Sequence, residues 1–314
     1  RYSIDKVMGP DEFHESYPDA HEGGLKDNAY TNIMVAWMFN KASNIYDNLD
    51  NDAKVKLQQD IGLDKNEIKK WSIISSKLNL VINDEGIISQ YDGYFELKEL
   101  NWDYYRSKYG DIHRMDRILK AEGKSADNYK VAKQADTLMT YYNLEDEEIN
   151  NIISNLGYDL PKDYLEKNLH YYLKRTSHGS TLSRVVHAQL ANIIDDKKLS
   201  WNLYIDALTS DYNDIQGGTT AEGIHAGVMA GTIMIAITTF GGVDLRGKLL
   251  KINPNLPNHW KQLSFNITFK KVNYQMEISS EKIVIYSNKT VNVIVKNKEL
   301  ELVCDKKTEF LINK

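Results

Sequence analysis

"KQLSFNITFKKVNYQMEISSEKIVIYSNKTVNVIVKNKELELVC", residues 261–304, alternates apolar and polar side chains and is rich in β-branched residues. A period of two is that of a strand with one face buried, and Ser287-Asn288 and Lys296-Asn297 supply turn chemistry between runs. The stretch therefore predicts six or seven short antiparallel strands. Working back toward the start, the run "AGVMAGTIMIAITTFGGV" (226–243) is apolar but holds four glycines and ends at Gly241-Gly242. It predicts a buried helix that stops there. Between residues 27 and about 240 the apolar period is near 3.6. "NAYTNIMVAWMFNKASNIYDNL" (28–49), "NEIKKWSIISSKLNL" (66–80) and "KVAKQADTLMTYYNL" (130–144) read as helices, as do "EEINNIISNL" (147–156), "PKDYLEKNLHYYLKR" (161–175), "TLSRVVHAQLANII" (181–194) and "KLSWNLYIDALTSD" (198–211). The chain is thus expected to be mainly α with a C-terminal β domain, divided into 1–240 and 241–314. The tyrosine- and acid-rich stretch 81–113 is too long for a bare connector and too aromatic for disorder, which points to a functional segment.

Bulk composition narrows the function classes. The 314 residues carry 42% hydrophobic and 26% charged side chains, ordinary for a globular protein. A net charge of −5 gives no electrostatic reason to expect nucleic acid or an anionic membrane as partner. The single Cys304 excludes an internal disulfide and a cysteine-built metal site. No metal or organic cofactor is suggested by any motif.

Four segments could carry chemistry. In "GPDEFHE" (9–15) a Gly-Pro turn could press a carboxyl, Glu12, against a packed helix, where burial would suit it to general-acid work; the plain reading is a solvated acidic loop. In "KVAKQADTL" (130–138), Lys133 and Gln134 offer five donor hydrogens to sugar hydroxyls or an anion, or else form an exposed helix face. In "RTSHGSTLSRVVHA" (175–188), His178, Ser180 and Thr181 stand at a helix start, which is either an anion site or an ordinary cap. In "QGGTTAEGIHAGVMAG" (216–231), Thr219, Thr220 and His225 could hydrogen-bond phosphate oxygens, or the glycines could serve tight helix packing. The last segment is no P-loop, because no Lys-Ser/Thr follows its glycines.

Taken together and in this order, the segments resemble glycoside hydrolase family 65, the group of maltose, trehalose, kojibiose, nigerose and glucosylglycerol phosphorylases with some hydrolase members. "GPDEFHE" with "NAYTN", "KQAD", "HGSTLS" with "VHA", "GTTAEGIH" before "GVMAG", and "LKINPNLPNHWKQLSFNITFK" carry the resemblance, which covers nearly the whole chain. It implies part of an (α/α)6 barrel followed by a small antiparallel β-sandwich. It implies Glu12 as general acid and Lys133 with Gln134 as the sugar-contacting pair. It places phosphate at His178, Ser180, Thr181 and His225, to which the reading of the glycine-rich segment adds Thr219 and Thr220.

The implied reaction is inverting phosphorolysis of an α-linked glucosyl disaccharide or glucoside, giving β-glucose 1-phosphate and the free acceptor. A phosphorylase needs only the acid, since phosphate arrives as an anion, whereas an inverting hydrolase needs a second carboxylate as base. Glu222 is the candidate base for that alternative, and a non-catalytic carbohydrate-binding fragment is the other. Inorganic phosphate is then a co-substrate rather than a cofactor, and a cytoplasmic location is expected. Only about half the helices of such a barrel can be counted. The chain is therefore expected to be the C-terminal part of a larger enzyme, with the remaining half, or a second copy, as its macromolecular partner.

Overall fold

The computed structural model describes residues 1–134, 136–214, 221 and 223–312. They form two compact units, Arg1–Ser183 and Arg184–Lys314.

The first unit is built on helices. α1 (Ala29–Asp47) starts at Asn28, whose side-chain oxygen accepts from Thr31 N–H, and α2 (Asn51–Ile61) and α3 (Lys65–Ser75) start at Asp50 and Asp64 in the same way. Such caps satisfy helix N–H groups that have no partner within the helix. α1 packs on α3, α6 (Asp136–Asn143) and α7 (Asp146–Asn155). The long stretch after α3 is not a solvated loop. It holds α4 (Trp102–Tyr109) and α5 (Met115–Ala121), and it buries Ile87, Ile88, Tyr91 and Tyr94. Asn168 of α8 (Tyr164–Leu173) fixes it by accepting from Ile88 N–H and donating to Gly86 carbonyl. Phe13, Leu100, Tyr105, Ile112, Met115, Leu119, Ala126 and Val131 share one apolar cluster, so the "GPDEF" loop is anchored in a core by its aromatic ring.

One helix departs from the sequence reading. Residues 130–134 do not join α6, because Ala132 N–H goes to Arg175 carbonyl and the Lys133 and Gln134 N–H groups go to the Asp11 carboxylate. Lys133 and Gln134 thus lie on a bent approach to α6 rather than on a helix face.

The second unit contains α9 (Thr181–Ile193) beyond its first turn, α10 (Lys197–Leu208) and α11 (Ala226–Met234), then a π-helical turn over Ile235–Phe240. α11 is not fully buried: Val228 and Thr232 face inward, whereas Ile233 is 64% exposed. Eight strands follow: β1 (Val243–Asp244), β2 (Leu250–Ile252), β3 (Gln262–Phe269), β4 (Val272–Ser279), β5 (Lys282–Ser287), β6 (Val291–Val295), β7 (Lys298–Leu302) and β8 (Lys307–Leu311). They make two four-stranded sheets, ordered β1-β2-β6-β7 and β3-β4-β5-β8. The pairs are antiparallel except β2 with β6, which run parallel, as the long connection through β3, β4 and β5 of the other sheet permits. Val272, Tyr274, Met276 and Ile278 of β4 share one core with Leu250, Ile252, Val293 and Val295 of the opposite sheet, as in a β-sandwich. The hairpin turns Lys270-Lys271 and Lys296-Asn297 take positive φ at both residues without glycine. No helix among the described residues is long and apolar enough to cross a membrane.

The break at Gly241-Gly242 is steric. Gly242 has φ +64°, its carbonyl accepts from Asn253 N–H, and a Cβ there would lie 1.9 Å from Asn253 carbonyl oxygen. Gly242→Ala combines a left-handed alanine with an overlap and should destabilise the chain by at least about 2 kcal/mol. Urea unfolding checks it, and a shift under about 0.5 kcal/mol would contradict the steric account.

Candidate active site

The loop carrying Glu12 is closed at its base by reciprocal backbone bonds between Val7 and Leu25. From Gly9 to Ser16 the loop is held by burial and by hydrogen bonds to residues distant in sequence. Gly9 lies against the Asn28–Asp136 pair so closely that a Cβ would stand 1.7 Å from Asp136 Oδ2. Pro10 carbonyl accepts from Gln134 Nε2 at 2.9 Å. Asp11 is buried; its Oδ1 accepts from Lys133 and Gln134 N–H, and its Oδ2 lies 3.1 Å from His14 Nδ1. Phe13 enters the core, His14 is buried, and Glu15 and Ser16 N–H donate to Asp127.

The exception is Glu12. Flanked by two buried residues, it adopts φ +62° and turns its side chain outward, where it is 62% exposed. A left-handed glutamate costs about 1–2 kcal/mol and persists only where its surroundings fix it. Lys133 Nζ meets Glu12 Oε2 at 2.6 Å. The burial expected of Glu12 falls instead on Asp11, its neighbour. Gln134 also differs from its expected use, since its amide N–H holds the turn and its Oε1 is buried with no hydrogen-bond partner.

Two buried acids, Asp11 and Asp136, flank the turn. Burial, and then the charge of Asp11, push the Asp136 carboxyl far above the usual carboxylate range, against the hydrogen bond from Asn28. Burial alone would lower the His14 pKa, but the hydrogen bond and charge of Asp11 and the Tyr129 carbonyl outweigh it and raise it.

The "HGST" loop adjoins the acid loop in the same unit. A Cβ on Gly179 would meet Phe13 Cζ at 3.1 Å and His113 carbonyl at 2.6 Å, while Ser177 Oγ donates to that carbonyl. His178 has φ +54° and places Nδ1 2.9 Å from Ser183 Oγ; Ser180 is half-buried and Thr181, first residue of α9, is buried. Lys133 and Gln134 thus reach the acid loop at Glu12 and Pro10, and the "HGST" loop reaches it through Gly179 at Phe13. In the second unit, Asp211 clamps His225 twice, accepting from its N–H at 2.8 Å and meeting Nδ1 at 2.6 Å. Thr219, Thr220 and Glu222 lie outside the described residues. Sequence reasoning missed Asp11, His14 and Asp211 as parts of the site. Only Asp11 carried a signal, as the acid next to the proposed acid.

Comparison with known proteins decides the family. Residues 1–234 match the family description "Glycosyl hydrolase family 65 central catalytic domain", and residues 243–302 match that family's C-terminal domain. The chain belongs to glycosyl hydrolase family 65. Among family 65 relatives, a trehalose 6-phosphate phosphorylase of Lactococcus lactis is 42% identical over 310 residues, 99% of this chain and 39% of that protein. A kojibiose phosphorylase of Halothermothrix orenii is 30% identical, over 96% of this chain and 37% of its own length. A solved structure from the human microbiome, assigned as a kojibiose phosphorylase, superposes with TM-score 0.75 at 24% identity, over 99% of this chain and 42% of that one. That likeness is one of fold: part of an (α/α)6 barrel with a β domain. The chain spans about two-fifths of the length of these relatives.

Gly9→Ala tests the packing of the turn. Its methyl would overlap the Asp136 carboxyl, so a loss of about 1–3 kcal/mol is expected. Denaturant unfolding reads it, and parental stability would show that the turn is not packed this tightly.

Proposed function

We propose that this chain carries the acid and part of the phosphate site of an inverting α-glucoside phosphorylase. The observation that carries the reading is Glu12, held in a strained outward conformation beside Lys133 while the turn on either side of it is buried. The "HGST" turn packed on the same loop supports it. So do the relatives, which are named as phosphorylases of trehalose 6-phosphate, kojibiose and nigerose.

In this reaction Glu12 gives its proton to the glycosidic oxygen and the C1–O bond breaks. A phosphate oxygen attacks C1 from the opposite face, so the configuration inverts and β-glucose 1-phosphate forms. The acceptor sugar leaves with the proton. Lys133, 2.6 Å from Glu12 Oε2, is placed to pair with the carboxylate left once the proton has been given up. Hydroxyls and N–H groups at the start of α9 suit an anion. His225, fixed by Asp211, is proposed as a further phosphate contact, with Thr219 and Thr220. Phosphate supplies the nucleophile without a base, and Glu222 takes no part in this reading. Substrates are α-linked glucosyl disaccharides, their 6-phosphates included.

Three measurements on the intact protein test this. Glu12→Gln keeps the shape and removes the proton, so phosphorolysis should fall by about 10² to 10⁴. Ser180→Ala and His225→Ala each remove a hydrogen bond to a charged oxygen, worth about 1.5–3 kcal/mol. Each should raise the KM for phosphate roughly 10- to 150-fold with the glucoside KM little changed. Trehalose 6-phosphate, trehalose, kojibiose and nigerose are supplied with and without phosphate. Phosphate-dependent β-glucose 1-phosphate supports the proposal; free glucose at an equal rate without phosphate overturns it in favour of hydrolysis.

A further inference from the structure

We propose that the buried Asp11–His14 pair is the positioning device of this site, locking the Glu12 turn onto the Lys133–Gln134 segment as a carboxylate–imidazolium couple. The proposal rests on the functional reading above for its kinetic test, but its geometry stands independently.

The two residues bracket Glu12 and Phe13, so whatever fixes them fixes the acid between them. Asp11 Oδ1 receives the N–H groups of Lys133 and Gln134, which ties the acid's loop to the segment that supplies its lysine partner. Asp11 Oδ2 faces His14 Nδ1 at 3.1 Å, and His14 Nε2 faces Tyr129 carbonyl at 2.9 Å. A carbonyl cannot donate, so Nε2 carries a proton, and a carboxylate opposite Nδ1 calls for a second. Both residues are almost wholly buried, where an unmatched charge of either sign would be costly. The groups that face His14 are few: Asp11 on its own loop, Asp127 on the short 3-10 turn Ala126–Asn128, Tyr129 carbonyl, and the rings of Tyr91 and Tyr94 edge-on at 5.4 and 5.9 Å. The acids favour the charged imidazole against its burial, in the direction already given for its pKa.

The couple is complete at pH below the ordinary histidine value and fades as pH rises through the raised one. A histidine that acts through Glu12 should govern turnover more than binding, since a misplacement of about 1 Å can cost about 10²-fold.

The test uses the intact protein. His14→Gln keeps a donor for Tyr129 carbonyl but gives Asp11 no partner. Its kcat for phosphorolysis should fall roughly 10- to 100-fold, with both KM values within about threefold and the alkaline limb of the pH profile gone. Asp11→Asn is the conservative variant: its oxygen can still accept from Lys133 and Gln134, and its amide can donate to neutral His14. It should lose less than about tenfold, again without that limb, and it decides the matter should His14→Gln fail to fold. Nitrogen-15 spectra of the parent should show both His14 ring nitrogens protonated at a pH just below the ordinary histidine value, about 6. Parental kcat and pH profile in His14→Gln, or in Asp11→Asn an unchanged alkaline limb, would overturn the proposal, as would a singly protonated His14. A parent that releases no β-glucose 1-phosphate overturns the functional reading alone, and the ring-nitrogen spectra still judge the couple.

Discussion

The candidate site is held together by one buried carboxylate, Asp11. Asp11 receives two backbone N–H groups from Lys133 and Gln134 and faces His14 with its other oxygen. Those bonds tie the segment ahead of α6 to the acid loop, where Lys133 Nζ meets Glu12 Oε2. One interaction thus sets the local backbone, the position of the lysine, and the orientation of the acid.

The surroundings make that carboxylate tolerable. A second acid, Asp136, lies on the far side of Gly9, bound by Asn28 and driven toward its neutral form by burial and by Asp11 itself. Burial and the neighbouring charge of Asp11 disfavour a second charge at Asp136, while Asp11 itself faces His14. The absence of a side chain at Gly9 lets the turn rest directly on Asp136. Phe13 adds apolar anchorage and, through Gly179, brings the start of α9 against the same loop.

Much of this was legible in the sequence. The 3.6 and 2.0 periods located most helices and the strand-rich end, because each buries one face. α2, α4 and α5 were missed: α2 buries none of its residues, and α4 and α5 interrupt an aromatic segment with no long period. The motifs named Glu12, Lys133 and Gln134, but the helix drawn through "KVAKQADTL" was wrong for its first half. Nothing local in residues 130–134 says that their amides bond to an acid over a hundred positions away. The same holds for Asp211, which reaches His225 only through the fold. Residues whose role is a contact distant in sequence leave no periodic trace.

The Asp11 tie is open to a direct physical measurement that needs no substrate, amide hydrogen exchange at Lys133 and Gln134. Both amides should be strongly protected in the parent. In Asp11→Ala they should lose that protection by orders of magnitude, while β4 and β5 of the β domain exchange as before. Unchanged protection at Lys133 and Gln134 in Asp11→Ala would contradict the account.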